Sequence, residues 1–217
     1  QKQDETNPNA GQKLPKDKLI SLLLILGSVA LWYMGYNAVT TTYSRYATEV
    51  LNKDFNLTLI IAQGAAIISY IPIGIITSKF GRKKTLLAGV VMLALAFFFA
   101  IFIRANFPDF IMYILFALAG IGWATISVNS FPMVVELSKG SNIGKYTGYY
   151  YTASMAAQIL TSMLSGLIFD IVGNYLPLFI YATIFVVLSF ITMFFVKHGD
   201  SKPQPKKHIL ESFDIDD

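Results

Sequence analysis

Six long stretches of the chain carry no charged residue: Leu19 to Ser44, Phe55 to Ser78, Thr85 to Ile103, Phe110 to Val135, Tyr146 to Phe169 and Ile171 to Val196. The shortest holds 19 residues and the longest 26. A helix needs about 20 apolar residues to cross a bilayer's hydrocarbon core, and helices are favoured there because they pair their own backbone groups. The pattern therefore predicts an all-α polytopic membrane protein with six transmembrane helices. Only Asp170 separates the last two stretches, but Gly173, Asn174 and Pro177 follow it and predict a tight turn with a helix restarting beyond. The ends differ in kind. Residues 1–18 and 197–217 are polar and hold Pro8, Pro15, Pro203 and Pro205. They cannot bury a core and are expected to be disordered, leaving 19–196 as the bundle between a polar linker and a polar tail.

Composition agrees with a membrane setting: 54% of residues are hydrophobic and 14% charged, against about 25% charged in soluble domains. The net charge of +4 does not point to nucleic acid, because the basic residues lie in short segments between apolar blocks. With six crossings, both termini share a side with the loops after the second and fourth spans. That side collects fourteen of the seventeen basic residues, leaving Arg45, Lys53 and Arg104 opposite. By the positive-inside rule both termini are cytoplasmic, and the plasma membrane is the expected location. There is no cysteine, and His198 and His208 both lie in the tail, so no metal and no cofactor is expected. The chain begins with Gln, and its first apolar block is too long for a signal peptide; it reads as a piece of a longer protein.

Polar residues inside the spans are costly unless paired or wetted, so their spacing is informative. On the first span Tyr33, Asn37, Thr40, Thr41 and Ser44 recur at three and four residues and form one sector. Gln63 and Tyr70 share a face of the second. On the fourth, Trp123, Ser127 and Ser130 line one side and Thr125 and Asn129 another. Thr147, Tyr151, Ser154, Gln158 and Ser162 form a stripe on the fifth. The third and sixth spans are almost wholly apolar and are expected to face lipid. Small residues four apart, Gly120 with Ala124, Gly144 with Gly148 and Ser162 with Gly166, read first as helix-packing sites. No charge lies deep in a span; Arg45 and Glu49 are spaced to pair at one end, and Glu136 lies at the inner end of the fourth. The surface these sectors offer is neutral, rich in amides and hydroxyls, and aromatic, which suits a sugar-like solute.

The loop after the second span reads Gly74-Ile-Ile-Thr-Ser78-Lys79-Phe-Gly81-Arg82-Lys83-Lys84. It resembles the signature loop of the major facilitator superfamily, with Ser78 where an acid usually stands. Its glycines permit a tight turn, and its basic cluster can meet helix C-termini and nearby acids. The segments Gly35-Tyr-Asn37, Gly120-Ile-Gly122-Trp123-Ala124, Asn129-Ser-Phe-Pro132-Met-Val-Val-Glu136 and Gly144-Lys-Tyr-Thr-Gly148-Tyr149-Tyr150 resemble helices seven, ten and eleven of that superfamily's glycoside and sucrose-type proton symporters. The resemblance implies the C-terminal half of a twelve-helix carrier, built from two three-helix inverted repeats, whose partner is an N-terminal six-helix half. It implies alternating access to a small solute, a sugar or glycoside, held between the halves. Asn37, Thr41, Gln63, Tyr70, Trp123, Asn129, Tyr151 and Gln158 would form this half's wall, and Gly74, Ser78, Lys79, Gly81, Arg82, Lys83 and Lys84 a gating loop. Some relatives carry a proton-coupling acid where Thr40, Thr41 and Thr42 stand, so no such acid is expected in this half.

Other functions fit less well. A serine hydrolase needs a base beside its nucleophile, yet no His or Lys lies within a span. A voltage sensor needs periodic arginines, and a water channel needs tandem Asn-Pro-Ala loops; neither occurs. A homodimeric half-carrier would require a self-complementary polar face. A non-transporting six-helix scaffold or receptor stays open as the alternative, though it gives four polar stripes no role.

Overall fold

The computed structural model describes residues 15–138 and 143–200. The greater parts of the polar linker and tail, with their expected disorder, lie outside the described residues. Six helices follow in order: α1 (Lys16–Glu49), α2 (Asn56–Phe80), α3 (Arg82–Ala100), α4 (Asp109–Glu136), α5 (Ile143–Val172) and α6 (Leu178–Phe194). Five of them are long and apolar enough to cross a membrane, while α6, at 17 residues, is shorter.

Prolines without an N–H to lose stand at three helix starts, before α1 (Pro15), α4 (Pro108) and α6 (Pro177). Between α2 and α3 the chain turns on Gly81 at φ +92°, a conformation open to glycine at little cost. The charge-free stretches mark the spans but not the helix ends. The first helix begins at Lys16 and runs past Arg45 to Glu49, and α5 passes Asp170 before ending at Val172. Charges are cheap there, where a helix emerges into the interface. The turn expected after Asp170 falls at Gly173 (φ +72°) and Asn174, whose Oδ1 accepts the Leu176 N–H at 2.9 Å.

Polar contacts sort the helix ends into two groups. At one end Arg82 meets Glu136, Lys83 reaches the carbonyls of Phe194 and Val196, and His198 meets Asp17. This gathers the start of α1, the α2–α3 turn and the ends of α4 and α6 into a basic end. At the far end Lys53 binds Asp109 and the Phe107 carbonyl, while Arg45 donates to the Tyr175 hydroxyl. Arg45 thus crosses to the α5–α6 turn, where its spacing alone would have offered it to Glu49.

Packing has an internal two-fold pattern. Helix α5 packs on α1 as α2 packs on α4, α6 packs on α1 as α3 packs on α4, and α3 meets α6. Exchanging α1–α3 with α4–α6 reproduces this scheme. Because α1 leaves the basic end and α4 returns to it, the two triplets are inverted relative to each other.

Helix pairs are joined by close backbone approach and hydrogen bonds, as expected where lipid removes most of the hydrophobic drive. A Cβ on Gly120 would stand 2.1 Å from the Ala62 carbonyl oxygen, so α4 and α2 touch backbone to backbone there. Between α1 and α6, the Ser28 and Ser189 hydroxyls meet at 2.8 Å, and each also lies 3.0 Å from the other residue's carbonyl oxygen. Thr161 on α5 reaches both the Met34 carbonyl on α1, at 2.8 Å, and the Tyr181 hydroxyl on α6, at 2.7 Å.

The helices α3 and α6 form a back layer. Each buries one side, along Leu86, Val90, Leu93 and Phe97 or along Leu178, Ala182, Val186 and Ser189. Their other sides expose Val91, Leu95 and Phe98, and Ile180, Ile184, Val187 and Ile191. In contrast, α2 and α5 touch the bundle along narrow stripes, Thr58, Ala62, Ala66, Ile73 and Thr77 in one, and Tyr146, Tyr150, Ser154, Ala157, Thr161, Ser165 and Phe169 in the other. The remaining sides of both are open.

Candidate functional site

Four helices bring aromatic rings together at mid-depth. Trp123 on α4 stacks on Tyr36 of α1 with centroids 5.6 Å apart and meets Tyr70 of α2 edge-on at 6.3 Å. Tyr33, one turn before Asn37 on α1, reaches Tyr150 of α5. Tyr150 also shares a 2.9 Å hydrogen bond with Ser130, and Phe131 of α4 packs on both α5 tyrosines. Tyr36, Tyr70, Trp123 and Gln158 all lie about 20 Å along their helices from the far end, at 1.5 Å per residue. Tyr36, Tyr70 and Trp123 meet there as a girdle, and among the described residues no Asp, Glu, Lys, Arg or His lies at that level.

Of the wall expected from sequence, Tyr70 and Trp123 stand in this girdle and Tyr151 about 10 Å nearer the basic end; all three are exposed or half-exposed. Asn37 is half-buried beside it, its Nδ2 donating to the Tyr33 carbonyl at 2.9 Å. Gln63 and Thr41 lie exposed one to two turns nearer the far end, and Gln158 is exposed on α5. Several sector hydroxyls are satisfied by their own helices: Thr41 donates to the Asn37 carbonyl at 2.7 Å and Ser162 to that of Gln158 at 3.0 Å. These hydroxyls therefore offer a solute lone pairs, not protons, while the amides can do both.

Asn129 does not share this surface. It is fully buried, one turn beyond Thr125, which packs on Gly89 of α3. Its Nδ2 donates to the Thr125 carbonyl at 2.7 Å, and its Oδ1 is buried with no hydrogen-bond partner among the described residues. The Thr125 and Asn129 side of α4 thus faces the back layer. Two aromatic residues were missed in its place, Tyr36 and Phe131. Tyr36 is four residues from Thr40 and could have been taken into the α1 sector on that spacing.

The small-residue pairs divide similarly. Gly120 and Ala124 are packing sites, Ala124 being fully buried. At Gly144, Gly148 and Gly166, however, no described atom lies within 4 Å of where a Cβ would stand, and the same holds for Gly64 and Gly74 on α2.

At the basic end the expected Gly74 to Lys84 loop is helix except for the turn at Gly81, Gly74 to Phe80 ending α2 and Arg82 to Lys84 opening α3, and it is tied to α4 and α6. Gly74 is open, and Ser78, the residue in the acid's place, donates to the Ile75 carbonyl of its own helix at 2.7 Å. Arg82 Nη1 meets Glu136 Oε2 at 3.2 Å, partly screened from solvent. Lys83 Nζ donates to the carbonyls of Phe194 at 2.9 Å and Val196 at 2.5 Å, placing a cation on the C-terminal dipole of α6. Lys79 and Lys84 are exposed. The ion pair at this end is therefore Arg82–Glu136, across α3 and α4, and Ser78 takes no part in it.

Residues 19–212 match the family model described as Major Facilitator Superfamily. An uncharacterized MFS-type transporter of Methanocaldococcus jannaschii is 28% identical over 127 residues, which are 58% of this chain and 30% of that protein. The crystal structure of tetrameric PepTSo2 shares the fold with a TM-score of 0.71 at 19% identity, over 82% of this chain and 40% of that one. The chain spans less than half the length of either protein.

Proposed function

This chain belongs to the major facilitator superfamily, and from that premise we propose that it forms one wall of an alternating-access carrier for a neutral, hydroxyl-rich solute, a sugar or glycoside. The observation that carries the reading is the girdle of Tyr36, Tyr70 and Trp123. Ring faces stack on the apolar faces of a sugar, and the amides of Asn37, Gln63 and Gln158 supply paired donors and acceptors for hydroxyls. With no carboxylate or ammonium at this level, a charged solute would find no counter-ion. A second six-helix bundle would close the site against α2 and α5, and the basic end would face the cytoplasm at the plasma membrane. Rocking of the two bundles would expose the girdle to each side in turn, with Arg82–Glu136 bracing one state. Proton coupling, if present in the carrier, would draw on acids outside this wall.

The test is uptake of radiolabelled mono- and disaccharides by proteoliposomes holding the complete polypeptide to which this chain belongs. Saturable uptake that falls at least tenfold in Trp123→Leu, with unchanged membrane insertion, is the expected result. Sugar-indifferent liposomes, or uptake untouched by that substitution, would reject the reading. Uptake indifferent to a proton gradient would remove the symport part alone.

A further inference from the structure

The back layer of α3 and α6 carries two exposed stripes. On α3 the exposed residues Lys84, Ala88, Val91, Leu95 and Phe98 follow one another at four and three residues, and on α6 Ile180, Ile184, Val187, Ile191 and Phe194 do the same. That spacing keeps each set on one side of its helix, and the two helices pack side by side. Because α3 leaves the basic end and α6 returns to it, the first stripe opens there on Lys84 and the second finishes there, three residues before Lys197. Each stripe covers about 20 Å of helix at 1.5 Å per residue, more than the roughly 15 Å that the acyl chains of one leaflet fill.

Lys83 fixes the corner where the stripes meet. Its Nζ donates to the carbonyls of Phe194 at 2.9 Å and Val196 at 2.5 Å and lies 5.9 Å from the Phe194 ring centroid. The next residues along each strand of this contact, Lys84 and Lys197, are therefore held at the same corner, and both are exposed. Among the described residues neither ammonium has a hydrogen-bond or ion-pair partner. The nearby acids are engaged elsewhere: Asp200 accepts the Lys83 N–H at 2.8 Å, and Glu136 pairs with Arg82 on the α4 side. Lys83 has three N–H groups, two of them bonded to the carbonyls. The far end of the same layer has no such corner. Arg104 commits its Nη1 to the carbonyls of Ile101 and Ile103, and no Lys or Arg lies between Asp170 and Leu178.

We propose that this corner binds an anionic phospholipid, its acyl chains along the α3 and α6 stripes and its phosphate between Lys84 and Lys197, with the third N–H of Lys83 in support. A lysine near an anionic lipid surface is worth about a fivefold preference, so the pair gives about twenty-fivefold over a neutral lipid. Phosphatidylcholine fits the stripes equally well, but its choline cation opposes the lysines. A second copy of the chain docked by this same surface would bring two basic corners together, and like charges disfavour it. Lipid held here would brace α3 against α6, the contact that joins the two triplets, whichever solute is carried.

The full chain has no cysteine, so one introduced on a stripe reports alone. Bimane on Ala88→Cys, one turn from Lys84 and exposed, would be followed in liposomes as dibrominated phosphatidylglycerol or dibrominated phosphatidylcholine is added as quencher. The expected result is a relative binding constant at least about tenfold in favour of phosphatidylglycerol, falling to within about twofold of unity when Lys84→Gln and Lys197→Gln are combined. Ile180→Cys, at the other end of the α6 stripe, should be quenched equally by the two lipids. Equal quenching at Ala88→Cys would overturn the proposal, as would a preference that persists in the double variant while it stays helical by circular dichroism. The same preference at Ile180→Cys would mean attraction to the membrane surface at large and no site at the corner, and quenching by neither lipid would mean that protein covers it; both outcomes reject the proposal.

Discussion

Replacing Gly120 by alanine adds one methyl group, and the structure gives its consequence a size. The new Cβ would lie 2.1 Å from the Ala62 carbonyl oxygen, with the Ala62 carbonyl carbon at 3.0 Å and Cα at 3.2 Å. All three are backbone atoms of α2, so no side chain can rotate away, and α2 must move by about 1 Å or the helix must bend. Overpacking of this kind costs about 1–3 kcal/mol, and a rigid backbone neighbour places the cost near the upper limit. Alanine's better helix propensity returns about 1 kcal/mol, leaving a net loss of about 2 kcal/mol. The control is Gly148→Ala on α5, where nothing lies within 4 Å and only the propensity gain of about 1 kcal/mol applies. One chemical change thus carries opposite signs at two helical sites, separated by about 3 kcal/mol. Denaturant unfolding of the chain in mixed micelles, followed by helical circular dichroism, measures both. In the complete carrier Gly120→Ala should also weaken solute binding, because Gly120 sits one turn from Trp123 and Ala62 two turns from Tyr70 across the same contact. Finding the two variants within about 0.5 kcal/mol of each other would refute the α2–α4 packing argument and the girdle geometry built on it.

Ser28→Ala and Ser189→Ala should each cost about 0.6 kcal/mol, a typical interhelical hydrogen bond in a membrane; since the two hydroxyls also meet each other at 2.8 Å, the sites are coupled and the double variant should depart from additivity by about 0.5 kcal/mol, which a double-mutant cycle of unfolding free energies checks. Asn129→Leu removes a buried carbonyl oxygen that has no described partner, so stability should hold or rise by about 1 kcal/mol and solute affinity should not change, whereas Asn37→Leu should lower affinity without unfolding the bundle; equilibrium binding with thermal melts separates the pair. Arg82→Glu should weaken the basic-end ion pair and Arg82→Glu with Glu136→Arg should restore it, read as the fraction of carrier accessible to an impermeant thiol reagent from that side through a cysteine placed at Gln158, exposed at mid-depth.

The count of helices was legible because charge is excluded from hydrocarbon along each whole span. Their ends were not, because Lys16, Arg45 and Asp170 occupy helix termini, where an interface accepts charge and sequence gives no boundary. The polar sectors were legible through three- and four-residue spacing, but periodicity says which residues share a face and not what the face meets. Thr125 and Asn129 illustrate this: set apart from the Trp123 side by spacing, they lie on the side of α4 where Thr125 packs on Gly89 of α3, which only the tertiary packing of α3 on α4 determines. The exposure of α2 and α5 was hidden for a related reason, since their mean apolarity resembles that of helices packed on several sides. The contact of His198 with Asp17 and Ser21 joins opposite ends of the described chain, and no local pattern could announce it.

The open sides of α2 and α5 bear on whether the bundle works alone. Gln63 and Gln158 are exposed there, and burying an amide without a partner costs about 1–3 kcal/mol on mutational scales. The sides exposed by α3 and α6 have Val, Leu, Ile and Phe at the corresponding depth and meet acyl chains at no such cost. The exposed sides of α2 and α5 are themselves largely apolar, along Ile67, Ile71 and Ile75 and along Ile159, Met163 and Leu167, but each carries an amide, Gln63 or Gln158, that the back layer lacks. Water in a pathway, or a second protein surface, removes the penalty. The open glycines on both helices, Gly64 and Gly74 with Gly144, Gly148 and Gly166, leave room for backbone approach by another helix along the same fronts. Amides that need wetting and glycines that admit a neighbour thus lie on the same two helices, which are exchanged by the internal two-fold. A second bundle meeting both at once would leave the girdle of Tyr36, Tyr70 and Trp123 in the crevice between the two, and this physical requirement supports the half-carrier reading independently of resemblance.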